Sequence, residues 1–92
     1  MDAYGYSEDP NNPEKLVRLS DLAFDGDPSE LRVIGNFLLL IADEVESGVL
    51  QNSHIHIGMK VKNWGKLVPH LDIQIINRNY PGPAIYDEIQ NE

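Results

Sequence analysis

Two histidines separated by one isoleucine, His54 and His56 in the stretch QNSHIHIGMK, are the side chains whose type and spacing suit chemistry best. Side chains two apart on a β-strand point to the same face, so both imidazoles could converge on one metal ion. A zinc or iron site needs at least one more protein ligand. Asp72 or His70, in the stretch HLDIQII, has the parity to supply it. The competing reading is that a solvent-facing strand position accepts any polar residue, histidine included. The chain has no cysteine, so disulfides, thiolate ligands and a cysteine nucleophile are excluded. The expectation is no resident metal or cofactor, with His54, His56 and Asp72 as the candidate ligands if one binds.

Other catalytic patterns are absent. Ser7, Ser20, Ser29, Ser47 and Ser53 stand in no G-x-S-x-G context, and the glycines are too scattered to form a phosphate loop. The chain therefore reads as a binding protein and not as an enzyme. Trp64, between Lys62 and Lys66, has the composition of an interface anchor. It also suits a residue folded back over the end of the core.

These residues need a scaffold, and its clearest element is a helix over residues 28–47. Asp27 is a good N-cap, Pro28 suits the first helical position, and Glu30 completes a capping box. Leu31, Ile34, Leu38, Ile41 and Val45 recur at helical spacing, with Phe37 widening the stripe. Gly35 and Ala42 on that face leave room for close approach to a sheet, and Gly48 is the expected C′ residue. Asp43, Glu44 and Glu46 gather near the C-terminus, where the helix dipole disfavours negative charge, and form a candidate acidic contact patch.

Alternating apolar residues predict strands over 15–25, with an irregularity around Ser20 and Asp21, over 52–62 and over 69–77. In the last two, Ile55, Ile57, Leu71, Ile73 and Ile75 face inward, while His54, His56, His70, Asp72 and Gln74 face out. Residues 1–14 read as a loose leader with at most a few residues paired at a sheet edge. Residues 78–92 read as a tail with a short edge segment near Ala84 to Tyr86. The whole is a single α+β domain: a two-layer sandwich of one long amphipathic helix on a mainly antiparallel, three- to four-stranded sheet.

Net charge is −8, with eleven acids and three bases in residues 1–50. That balance repels nucleic acid and anionic membrane and favours a basic protein partner. The N-terminus lacks the basic and apolar regions of a secretory signal, and FLLLIA is too short to span a bilayer. The expected location is the cytoplasm.

The order VRLSDLAFDGDPSELRVIGNFLLLIADEVESG, a strand with HIH, then LDIQIIN resembles the small α+β immunity proteins of bacterial polymorphic toxin systems. More narrowly it is similar to immunity family thirty-two, over residues 16–77. The resemblance implies a protein that binds and neutralises a cognate toxin domain, without catalysis. The expected contacts are His54, His56, Trp64, Asp72 and Gln74, with Asp43, Glu44 and Glu46 as a second patch. Two alternatives stay open: a small metal-binding protein or metal-dependent enzyme built on the His-x-His strand, and a homodimeric interaction module paired through a sheet edge.

Overall fold

Residues 1–7, 11 and 17–82 are described by a computed structural model of the chain. Among them, strand β1 (Asp2–Ser7) pairs antiparallel with β2 (Leu19–Asp25), and helix α1 (Pro28–Glu46) follows. Strand β3 (His54–His56) leads through one 3-10 turn (Ile57–Met59) and the short helix α2 (Trp64–Leu67) to β4 (Gln74–Ile76), its antiparallel partner. The α+β class holds, but in place of one three- to four-stranded sheet there are two separate two-stranded sheets.

Helix α1 starts where capping chemistry puts it. The Asp27 carboxylate accepts the Glu30 N–H at 2.9 Å, and Glu30 Oε1 accepts the Asp27 N–H at 3.0 Å. Ser29 Oγ also donates to Asp27 Oδ1 at 2.6 Å. The Ser29 hydroxyl, and after it the Glu30 N–H, hold the Asp27 carboxyl below its ordinary range. Glu30 has a second partner: its Oε2 lies 3.2 Å from the Met1 ammonium, and this bond raises the amine above its usual value. A Cβ at Gly26 would meet the end of the Met1 thioether, which occupies the space the glycine leaves. At the other end Gly48 adopts φ +76°, as its place after the C-cap Ser47 requires.

The buried stripe of α1 is narrower than its apolar sequence. Ile34, Phe37 and Ile41 are buried, whereas Leu31, Leu38, Leu39 and Leu40 are exposed. The three join Leu50, Ile55, Ile57, Trp64 and Val68 in one core, with Leu71, Ile73 and Ile75 packed against it. Gly35 does not mark a close approach, because an added Cβ there meets nothing within 4 Å.

Several expected boundaries change. Asp2–Ser7 of the segment expected as a leader form a strand, and β1 pairs with β2 along its whole length. The irregularity falls where expected, since the register passes from Tyr6↔Asp21 to Ser7↔Leu19 and leaves Ser20 without a partner. The strand expected over 52–62 stops at His56, because the N–H groups of Lys60 and Val61 both turn back to the Ile57 carbonyl, at 3.1 and 2.8 Å. Between the two expected strands, Trp64–Leu67 form helix α2. Only Gln74–Ile76 of the expected 69–77 strand is ladder, although Ile57 N–H to Ile73 O and Asn77 N–H to Ser53 O, both 2.8 Å, continue the pairing on either side. The edge segment expected near Ala84 to Tyr86 lies outside the described residues.

Asn77 is the buried polar residue of the core region. Its amide donates to the carbonyls of Leu50 at 3.3 Å and Asn52 at 3.0 Å, and its Oδ1 accepts the Asn79 N–H at 3.0 Å. The side chain thus locks the chain leaving α1 against the chain leaving β4.

Two predictions test this scaffold. Ile41→Ala, which empties a site only 1% exposed, should cost about 2–5 kcal/mol in a urea melt. Asp27→Ala should lower the melting temperature by about 4–8 °C at neutral pH. Because the folded carboxyl titrates below its unfolded value, the Asp27 contribution is complete above about pH 4 and disappears as pH falls through the folded value. Melts from pH 7 down to pH 2 should therefore show the wild type and Asp27→Ala converging on the acid side only.

Candidate functional site

Strand β3 is short, but its parity orients the histidines. Ile55 pairs with Ile75 on the core face, while His56 opposes Gln74 and His54 opposes Ile76 on the other face. Asp72, two residues before Gln74, comes up beside His56, and His56 Nδ1 lies 2.5 Å from Asp72 Oδ2. With a carboxylate as its acceptor, Nδ1 is the donor. The His54 ring stands edge-on to the His56 ring, with centroids 5.1 Å apart and planes at 76°. Its Nδ1 is 3.0 Å from Ser53 Oγ. The structure thus brings His54, His56, Asp72 and Gln74 together on one face.

Asp72 stands behind His56 and not beside it as a third ligand. Among the described residues no group of three or more His, Asp or Glu side chains is placed to hold a metal ion. His70 is drawn elsewhere. Its Nε2 lies 2.8 Å from the Met1 carbonyl oxygen and 2.9 Å from Asp2 Oδ1. Both partners are acceptors, so Nε2 is the donor.

Trp64 does not belong to the exposed set. It is 3% exposed, and its indole N–H donates to the Leu71 carbonyl at 2.8 Å. The reading of Trp64 as an interface anchor is corrected on that ground: the ring completes the core, and its one polar atom is satisfied internally. Of the acidic patch, Asp43 and Glu46 are exposed. Glu44 is half-buried and accepts from Lys60 Nζ at 3.0 Å, which neutralises the charge nearest the core.

An open cleft of about 520 Å³ lies beside the histidine face, with His56, Asp72 and His70 on its rim and Trp64, Val68 and Leu71 among its apolar lining. A second open groove of about 530 Å³ runs between α1 and β4, lined by Leu38, Val45 and Ile75 among others.

Sequence reasoning placed the strand that becomes β2 but missed that all of Asp2–Ser7 pairs with it as a separate ribbon. Its register places Asp2, Tyr4 and Tyr6 opposite Asp25, Ala23 and Asp21 on one face. The other face carries Phe24, Leu22 and Leu19 over Ala3 and Gly5. Tyr4 is 61% exposed and Tyr6 73%, and Leu19, Leu22 and Phe24 are exposed as well. A signal for the ribbon was present, because Asp2, Tyr4 and Tyr6 alternate with Ala3 and Gly5 in DAYGYS.

The core role of Trp64 is testable by Trp64→Phe, which keeps an aromatic side chain but removes part of the indole volume and the N–H, and strands the Leu71 carbonyl. It should cost about 1–3 kcal/mol in chemical denaturation. An interface anchor would leave stability unchanged.

No protein-family model, curated protein or solved structure matches this chain.

Proposed function

We propose that this chain is a toxin-neutralising immunity protein that binds a cognate, basic toxin domain through the tyrosine–aspartate face of its ribbon. The observation that carries the reading is the state of that face. Two largely exposed tyrosines lie in register among Asp2, Asp21 and Asp25 on a strand pair that buries little of either side. A lone two-stranded ribbon is marginal in water, so it gains most from a partner. Tyrosine supplies large contact area at low entropic cost, and aspartates directly opposite each other repel until a cation comes between them.

The surface continues to the histidine face. Asp2 sits on the ribbon face that carries Tyr4 and Tyr6, and its carboxylate is held by His70, on the rim of the cleft that His56 and Asp72 share. Exposed Asp72 and Gln74 therefore extend the ribbon's contact area. Steering by the net charge of −8 supports rapid capture of a basic domain. A second copy of the chain is the poorer occupant, since it would double that negative charge. The resemblance in the helix start, helix exit and HIH strand supports the same reading. No helix among the described residues is long and apolar enough to cross a membrane.

The test is co-expression with the C-terminal domain encoded by the neighbouring upstream gene. Growth should stop with the neighbour alone and recover with both. Tyr4→Ala with Tyr6→Ala should abolish recovery and weaken binding about 10–100-fold, with circular dichroism unchanged. A harmless neighbour, failed rescue, or full rescue by the double variant would each overturn the proposal.

A further inference from the structure

We infer that the groove between α1 and β4 is the seat of this chain's own residues 84–86, added antiparallel to the outer edge of β4 with Ile85 turned into the groove. The inference does not depend on the toxin-binding reading. It starts from the backbone groups that β4 uses. Ile57 N–H donates to Ile73 O and Asn77 N–H to Ser53 O, and Ile55 stands opposite Ile75. Residues 73, 75 and 77 therefore turn their N–H and C=O groups towards β3. In an antiparallel ladder Gln74 and Ile76 then turn theirs the other way. Among the described residues no strand takes up that second edge. An edge of this kind is a template for one more strand.

The groove lies beside the same edge. Its apolar walls are Leu38, Ala42 and Val45 of α1 with Ile75 and Ile76 of β4, and no residue of β3 lines it. It therefore opens on the side of β4 away from β3. Leu38 is 43% exposed there, and Ile75 is only half-buried although it faces the core. A turn directly after β4 reverses the chain, with Tyr80 N–H donating to Asn77 O at 3.2 Å. The described residues run to Gly82, and residues 83–92, PAIYDEIQNE, follow. Three extended residues span about 10 Å, the length of β4. With Ile85 opposite Ile75, Ala84 meets Ile76 and Tyr86 meets Gln74, so the ladder falls on the two outward-turned residues. Pro83 then stands opposite Asn77, where this ladder needs no N–H and a strand admits proline. Ile85 shares the face of Ile75 and meets the apolar walls. A segment tethered this closely acts at an effective concentration of about millimolar, so it takes the edge ahead of a free partner making the same contacts.

The experiment is amide hydrogen exchange read by NMR on the full chain. The N–H groups of Gln74, Ile76, Ala84 and Tyr86 should exchange slowly, while that of Ile85, which points away from β4, exchanges fast. Nuclear Overhauser contacts should join the Ile85 methyl groups to Leu38 and Val45. Ile85→Asp should abolish the protection of Gln74 and Ile76. The Ile57 and Asn77 amides should stay slow in that variant, which establishes that the β3–β4 pair is intact. Leu38→Asp, on the opposite wall, should produce the same loss. Fast exchange of Gln74 and Ile76 in the wild type, or protection that survives both variants, would overturn the inference. Protection that appears only at high protein concentration would overturn it too, because a second copy would then be the occupant.

Discussion

The packing of Ile34, Phe37 and Ile41 against Ile55, Ile57, Trp64 and Val68 is the interaction on which the rest of the molecule depends. A chain of 92 residues has little apolar surface to spend, and among the described residues it is concentrated in eight buried side chains around one helix face. Trp64 has a special part because its volume closes the core and its indole N–H reaches the Leu71 carbonyl. That bond fixes the approach of residues 71–73 to β3, which in turn sets Asp72 beside His56. The position of the polar face is thus a consequence of apolar packing one layer below it.

A second set of polar contacts ties the ribbon to that core. Glu30 closes the capping box and also holds the Met1 ammonium, while His70 holds the Met1 carbonyl and the Asp2 carboxylate. The base of β1 is therefore clamped between the start of α1 and the loop after α2. Met1 also packs against the core, and Gly26 leaves the space its thioether needs. Beyond this clamp, β1 and β2 rely on each other, which accounts for exposed tyrosines and leucines on both of their faces.

What the sequence disclosed follows the range of the forces involved. The helix was legible because Asp27, Pro28 and Glu30 act within one turn at its start, and Gly48 acts directly after its end. The parity of His54, His56, Asp72 and Gln74 was legible for a similar reason: alternation survives even where residues 71–73 are extended without being ladder. Helix α2 was not, because four residues show no period and its cause is the burial of Trp64. Nor could local pattern show that His70 would reach back 68 residues to Asp2, or that Asn77 would bind carbonyls more than twenty residues away. The three- to four-stranded sheet failed at one step. The strands were read as one sheet under the helix, yet the core is too small to cover β1 and β2 as well as β3 and β4.

That limit bears on function. A larger core would have drawn Phe24, Leu22 and Leu19 inward, and the ribbon would then be scaffold. Because the core ends at α1 and the β3–β4 pair, the ribbon is left with an apolar face and an acidic tyrosine face, held at a defined angle by the Met1–Glu30 and Asp2–His70 contacts. A surface fixed in this way loses less entropy on binding than a disordered arm would, so more of its contact energy appears as affinity. The same clamp runs through His70 to the cleft where His56 and Asp72 meet. Whatever displaces His70 from Asp2 releases the ribbon's acidic face and one rim of the cleft together.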